Sequence, residues 1–526
     1  MKYNTPVCDD NMTFQECELA ILRNAVDQNG DKIQEKNVIK NENIKDIIKC
    51  LEEFLIRKRL VCYGGTAINN ILPKEAQFYD FTKEIPDYDF YSPNALDDAI
   101  ELADIYYKRG YADVEAKAGV HYGTFKVFVD FTPIADITLI PAELFKNLQA
   151  NAKSVAGILY SPPNFLRMNM YLELSRPLGD LTRWEKIFKR LTLLNKYYPM
   201  KVDYNCNVID FQRQMGPEIE KTTKKETGGT PIETEPENQI DLAKTKSKSL
   251  AQYVKPKFGK QSIQEKIYST VRDAFIDEEV VFFGGYASTL YSKYMPLKEQ
   301  RKVQKIPDFD VLSENPTRVC TIVKERLSEI GIDNVTIEKR DPVGEIIPVH
   351  YEIRINQDIL AHIYEPLACH SFNEVEIDGR KIRIGTIDTL LTFYLSFIYV
   401  NKPYYYVDRI LCMTKFLFDV QQENRLKQYG ILKRFSSTCI GNQPNLDDIR
   451  IEKAEKFKEL SSQRGTREYN MWFLKYNPGY KKGNKPIEPL PSQSPKKTTK
   501  KDGKKKKNRT KKAAKKLDKN LQEWLF

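Results

Sequence analysis

The stretch LVCYGGTAINNIL at residues 60–72, followed by IPDYDFYS at 85–92, decides how this chain is read, and the chain writes it twice. The second version is VVFFGGYASTLYS at 280–292, followed by IPDFDVLS at 306–313. Gly65 stands 22 residues before Asp87, and Gly285 stands 23 before Asp308. In each copy a short apolar strand runs into a glycine pair, a helix follows, and two carboxylates then alternate along a further strand. A helical stripe leads into both: Ile44, Ile47, Ile48, Leu51, Phe54 and Leu55 before the first, Ile263, Ile267, Val271 and Phe275 before the second. The same order of elements twice over predicts two tandem α+β (mixed α/β) units, each a mixed sheet with a helical layer.

The first copy has a complete set of groups for handling a nucleoside triphosphate. Gly64 and Gly65 let backbone N–H groups approach phosphate oxygens with no side chain between, and the helix that follows turns its positive end toward them. Thr66 offers a hydroxyl donor to a phosphate. Asp87 and Asp89 lie two apart on a strand, so both carboxylates face one side while Tyr88 and Phe90 enter the core. Hard oxygen ligands on one face suit two Mg²⁺ or Mn²⁺ ions, the arrangement used for in-line phosphoryl chemistry. A third carboxylate is expected on a neighbouring strand, and TFKVFVDFTPIADITLI at 124–140 offers Asp130 and Asp136. Asp136 is preferred, because it interrupts an apolar run where a carboxylate is expensive unless paired or metal-bound. Asp130 reads equally well as a strand end or turn. The expected site is therefore Asp87, Asp89 and Asp136 for metal and catalysis, with Gly64, Gly65 and Thr66 on the nucleotide.

The second copy lacks parts of this set. Aligning VFVDFTPIADIT (127–138) with IRINQDILAHIY (353–364) pairs Asp130 with Asn356 and Asp136 with His362. Tyr286 replaces Thr66 and crowds the phosphate approach. Asp308 and Asp310 persist, but two ligands without a third should bind metal poorly. One active and one degenerate unit is the expectation, the second kept as a frame or as a surface for RNA or a partner.

Composition bounds the rest. At 526 residues the chain predicts two to four domains. No run of 18 apolar residues exists, so no transmembrane helix is expected, and MKYNTPVCDDNMTFQE lacks the apolar centre of a secretory signal. Nine scattered cysteines without a CxxC pair suit a reducing compartment. Four histidines argue against a His-rich metal site, and Cys369-His370 reads as core and loop. The net charge of +11 is local: residues 496–519 hold 14 Lys/Arg against two Asp, leaving the remainder at −1. That stretch has almost no apolar content and reads as disordered, with a salt-sensitive phosphate-backbone tether as its functional reading.

The expected organisation is an N-terminal segment 1–40, a catalytic unit 41–150, a helical layer 151–215, and a linker or long loop 216–260. A degenerate unit 261–375, a C-terminal helical layer 376–485 and a disordered Lys-rich tail 486–526 complete it. Arg167, Asn169, Arg183 and Lys186 on the helices after the first core could reach base, ribose or phosphate, and read equally as ordinary surface residues.

The GG[ST], DxD and distant-Asp pattern resembles the DNA-polymerase-β-like nucleotidyltransferases. With one intact and one decayed unit in tandem, residues 41–430 resemble more narrowly the poly(A) polymerase catalytic subunits of poxviruses and giant viruses. The resemblance implies template-independent addition of AMP from ATP to RNA 3′ ends with release of pyrophosphate. It implies ATP and an mRNA 3′ end as partners, no membrane, and a cytoplasmic viral factory or the virion as the location. Uridylyl- and CCA-adding enzymes use the same carboxylates, and a non-catalytic RNA-binding scaffold is the alternative from another class. Poxvirus members carry a sizeable domain before the catalytic unit, whereas here the first glycine pair arrives by residue 64. A homodimer or a separate processivity partner is expected to supply what that domain does.

Overall fold

The computed structural model describes residues 5, 7, 8, 12–25, 42–79, 86–202, 206, 263–300, 308–356, 358–400, 402 and 405–479. The expected linker and Lys-rich tail lie outside the described residues. The strands are β1 (Val61–Tyr63), β2 (Tyr88–Ser92), β3 (Val114–Ala118), β4 (Thr124–Val129), β5 (Thr132–Leu139), β6 (Lys153–Val155) and β7 (Ile158–Tyr160). They continue as β8 (Val281–Phe282), β9 (Phe309–Leu312), β10 (Val335–Arg340), β11 (His350–Ile355), β12 (Asp358–Tyr364), β13 (His370–Ile377), β14 (Arg380–Gly385), β15 (Cys439–Ile440) and β16 (Lys475–Tyr476).

These strands build two mixed sheets, ordered β16-β3-β4-β5-β2-β1-β7-β6 and β10-β11-β12-β9-β8-β14-β13-β15. Without the outer strands β16 and β15 the two orders are the same, β8 taking the place of β1 and β9 that of β2. β2 runs parallel to β5 and β9 parallel to β12. The repeat read in the sequence is thus a repeat of topology.

In the first sheet the alternation along TFKVFV fixes which face is core. Phe125, Val127 and Val129 are fully buried, with Val114 and Ala116 beside them on β3. The Ala95–Lys108 helix packs on β3, β4 and β5, and the Glu42–Lys58 helix supplies buried Ile47, Leu51, Phe54 and Leu55. Each such large side chain contributes roughly 1.5–3 kcal/mol by leaving water. Thr124, Lys126 and Phe128 consequently face the other side, which keeps the pleat's polar face for chemistry.

The described residues form two compact units, one running to Pro162 and resuming at Pro444, the other spanning Pro163–Gln443. The boundaries differ from the sequence-based division at two places. The Pro163–Leu174 helix packs in the second unit, on the Ile387–Phe397 helix, where Tyr171 donates to Gln421 at 3.0 Å and Ser371 N–H to Ser175 O at 2.8 Å. The residues from Pro444 onward return to the first unit, where β16 adds to β3 and Leu460, Tyr469 and Phe473 make a small core with Phe457 and Trp472. Sequence proximity suggested otherwise because neighbours in the chain need not pack together.

The cysteines also depart from expectation. Cys8–Cys17, Cys206–Cys412 and Cys369–Cys439 are disulfide-bonded, while Cys50, Cys62 and Cys320 are buried thiols. Irregular spacing had suggested free thiols, but spacing along a chain does not report separation across a fold. Cys369 and His370 are core, as read, and burial pushes His370 down to about 3. Among the described residues no helix is long and apolar enough to cross a membrane.

Candidate active site

β1 ends where the Gly64–Ile71 helix begins, and the turn between them needs glycine for two independent reasons. Gly64 has φ +73°, and a Cβ there would sit 2.4 Å from Asp89 Oδ2. The backbone therefore lies directly against the carboxylate. Asp89 and Asp136 are register partners on the parallel pair β2 and β5, with Asp87 immediately before the first residue of β2. Asp87 is exposed, Asp89 and Asp136 are half-buried, and Tyr88 and Phe90 are buried behind them. Burial holds the Cys62 thiol far above its usual range, and the Asp89 charge adds to the effect.

Thr66 stands where the sequence put it, but its partner is different. It is 2 % exposed and its hydroxyl donates to the main-chain carbonyl of Asp87 at 2.6 Å. The residue thereby fixes the backbone at the approach to β2. Asp130 is removed from the carboxylate set: with Phe131 it forms the two-residue turn between β4 and β5, both at positive φ (48° and 64°), closed by the Val129–Thr132 pair. Its ordinary reading as a turn holds, and Asp136 is the residue opposite Asp89.

Three residues escaped the sequence. Lys126, the register partner of Asp136 on β4, places Nζ 2.5 Å from Asp136 Oδ2. Asn69, fully buried, accepts from the N–H groups of Phe78 (2.8 Å) and Tyr79 (2.9 Å), tying the segment before the carboxylates to the glycine helix. Tyr63 stacks on Tyr91 with centroids 4.0 Å apart and meets Thr138 Oγ1 at 2.8 Å. Period-2 alternation along β4 could not reveal which residue of β5 Lys126 would face. Arg167, by contrast, is fully buried and donates to Asn195 Oδ1 (2.7 Å), Asn164 Oδ1 and Tyr198 O. It is a structural residue of the second unit.

The donor set suits a hard divalent ion by its chemistry, since every candidate donor is a carboxylate oxygen. Among the described residues, however, no three His, Cys, Asp or Glu side chains are gathered as a ready metal cluster, and Asp136 is neutralised by Lys126.

The second unit keeps the frame and changes the groups. A Cβ on Gly284 would fall 2.3 Å from Asp310 Oδ2, as at Gly64. His362 is the register partner of Asp310, the place Asp136 takes beside Asp89, and Asn356 holds positive φ (55°) in the hairpin turn that matches Asp130. The buried His362 ring lies 3.9 Å from Asp310 Oδ1 and 3.8 Å from Glu352 Oε1. Glu352 is itself gripped by Arg340 (2.9 Å) and Arg354 (2.5 Å). The Gly284 N–H donates to Asp310 O at 3.2 Å. In this row the ion pairs are those of Glu352 with Arg340 and Arg354.

The site thus lies in a mixed α/β fold of two mixed sheets, in which a glycine turn is pressed on a strand carboxylate. Residues 49–180 match the family model described as Poly(A) polymerase catalytic subunit. Over 176 residues the chain is 30% identical to a protein of African swine fever virus named as a candidate poly(A) polymerase catalytic subunit, covering 32% of this chain and 37% of that one. A similarly named protein of Acanthamoeba polyphaga mimivirus is 31% identical over 186 residues, 34% of this chain and 30% of its own length. The matched stretch thus spans about a third of these curated relatives. The crystal structure of the Megavirus polyadenylate synthase superposes with a TM-score of 0.66 at 19% identity, over 90% of this chain and 88% of that one, so the two share a fold.

Proposed function

We propose that the protein is a template-independent poly(A) polymerase that transfers AMP from ATP to RNA 3′ ends in its first unit. The observation that carries this reading is the register of Asp89 with Asp136, with the Gly64 turn against Asp89, all inside the segment that matches the family model. In the reaction the RNA 3′-oxygen bonds to the α-phosphorus of ATP, the bond to the β-phosphate oxygen breaks, pyrophosphate leaves and the hydroxyl loses its proton. Asp87, Asp89 and Asp136 would hold two Mg²⁺ or Mn²⁺ ions, which supply charge for the leaving pyrophosphate and acidify the 3′-hydroxyl. Gly64 and Gly65 bring main-chain N–H groups to the triphosphate, and Thr66 pins Asp87. Lys126 holds Asp136 in place and must yield that carboxylate when a stronger cation binds. The second unit acts as a frame.

A primer-extension gel tests the reading. Purified protein is given a short RNA, Mg²⁺ or Mn²⁺ and each nucleoside triphosphate separately, with Asp87→Asn as control. A long ladder with ATP alone, lost in the variant, is the expected result. Extension with UTP only, or a stop after a CCA-length addition, assigns one of the rival transferases; no extension with any nucleotide favours a scaffold.

A further inference from the structure

The register of the first sheet sets one residue from each of five strands side by side on its polar face: Lys475 on β16, Lys117 on β3, Lys126 on β4, Asp136 on β5 and Asp89 on β2. Directly paired residues share a face, and this face lies opposite the one covered by the Ala95–Lys108 helix. Tyr476, the neighbour of Lys475, confirms the alternation by pairing with buried Ala116 and donating its hydroxyl to Asp104 of that helix at 2.6 Å. Three lysines thus run in an unbroken line from the sheet's edge to the carboxylates, spanning about 10 Å at roughly 4.8 Å per strand.

Such a line is unfavourable by itself, because like charges directly opposed on neighbouring strands repel. Lysine on an edge strand guards against sheet-to-sheet pairing, and that accounts for Lys475 alone, since Lys117 and Lys126 lie inside the sheet. Compensation from the protein is partial. Lys126 has Asp136, while Lys117 has Glu115 at 3.8 Å and the Phe128 ring at 4.2 Å, and their side chains remain 35% and 38% exposed. Lys475 is exposed.

The second sheet provides an internal comparison. Its matching row is Glu338, Glu352, His362 and Asp310. The places of Lys117 and Lys126 are taken by glutamates locked to Arg340 and Arg354. Among the described residues, the first sheet has the cationic line beside Asp89 and Asp136, and the matching row of the second sheet has none.

We propose that Lys475, Lys117 and Lys126 form a phosphate track that leads the backbone of the RNA primer along the sheet to the carboxylates. This rests on the polymerase reading for its endpoint. The C-terminal strand β16 is then part of the substrate path, and Lys126 is the switch point at which phosphate and metal compete for one ammonium and one carboxylate.

The test uses the full-length protein and a fluorescent oligoadenylate, with affinity measured by anisotropy across a salt series. Each lost lysine–phosphate contact lowers the slope of log K against log salt by about 0.7 on a single strand. Lys117→Gln with Lys475→Gln should lower it by about 1.4 and raise the RNA KM severalfold, with the ATP KM unchanged. Lys339→Gln, an exposed lysine on β10, is the control for net charge. A double variant with unchanged slope and unchanged RNA KM overturns the track, as does an equal effect from Lys339→Gln. A rise in ATP KM alone assigns the lysines to the triphosphate and overturns it too. If the wild-type protein extends no primer but the double variant still loses slope, the track stands and the polymerase reading falls. Unaltered melting temperatures confirm that exposed-site changes left the fold intact.

Discussion

At the residue scale, Gly64 concentrates two constraints at one Cα, and the outcome of Gly64→Ala follows. The positive φ costs an alanine roughly 1–2 kcal/mol, and the Cβ would force Asp89 aside. Primer extension should be lost while thermal denaturation shows only that modest destabilisation; full activity would sink the role given to this turn. Thr66→Val removes one hydrogen bond to the Asp87 carbonyl, worth about 1 kcal/mol, and should lower turnover more than it raises the ATP KM. A change confined to the ATP KM would return Thr66 to direct phosphate contact. Asp136 was legible because a carboxylate interrupted an apolar run. Lys126 was not, because nothing in a sequence states which residue of one strand faces which residue of another.

At the scale of elements, the hairpin of β4 and β5 turns on Asp130 and Phe131, both in the left-handed region. Replacing the pair with Asn-Gly should raise stability by roughly 0.5–1 kcal/mol and leave primer extension intact. Lost activity would bring Asp130 back into the site. In the second unit, burial pushes the Glu352 carboxyl up, but hydrogen bonds from Arg340 and Arg354 outweigh it and hold it below its usual value. A depressed folded-state pKa contributes stability above the unfolded value of about 4.3, and that stability is lost as pH falls through the folded value. Glu352→Gln should therefore cost roughly 3–5 kcal/mol at neutral pH and weaken the acid dependence of unfolding; an unchanged pH profile would exclude this network as its source. The glycine helices and the strands that flank them were readable from periodicity, whereas the order of strands in each sheet was not, because periodicity does not report pairing. Helix partnership was not, because the Pro163–Leu174 stripe fits any apolar surface equally well.

At the scale of the whole molecule, two sheets share one strand order, and only the first retains Asp opposite Asp. Asp87→Ala should abolish extension, whereas Asp308→Ala should leave most of it; equal losses with folding intact would mean two working sites. Deleting 486–526 removes most of the chain's basic excess, and RNA affinity should weaken with a flatter salt dependence. Unchanged binding would make the tail incidental. The tandem arrangement was legible because both copies kept their glycines and carboxylates. The return of residues from Pro444 to the first unit was hidden, since a two-residue strand carries no periodicity at all.

That return has a consequence for how the protein is made. Lys475 pairs with Lys117, 358 residues earlier, so the first sheet waits for its edge strand until the whole of the second unit has been synthesised. The second unit, closed between Pro163 and Gln443, leaves the ribosome whole before that strand exists. A chain stopped short of residue 475 would therefore carry a finished frame and an open β3 edge, a template for aggregation. Truncated translation products should sediment as aggregates while the full-length chain stays dispersed. The strand that closes the β3 edge is thus supplied from the far side of the second unit in the chain.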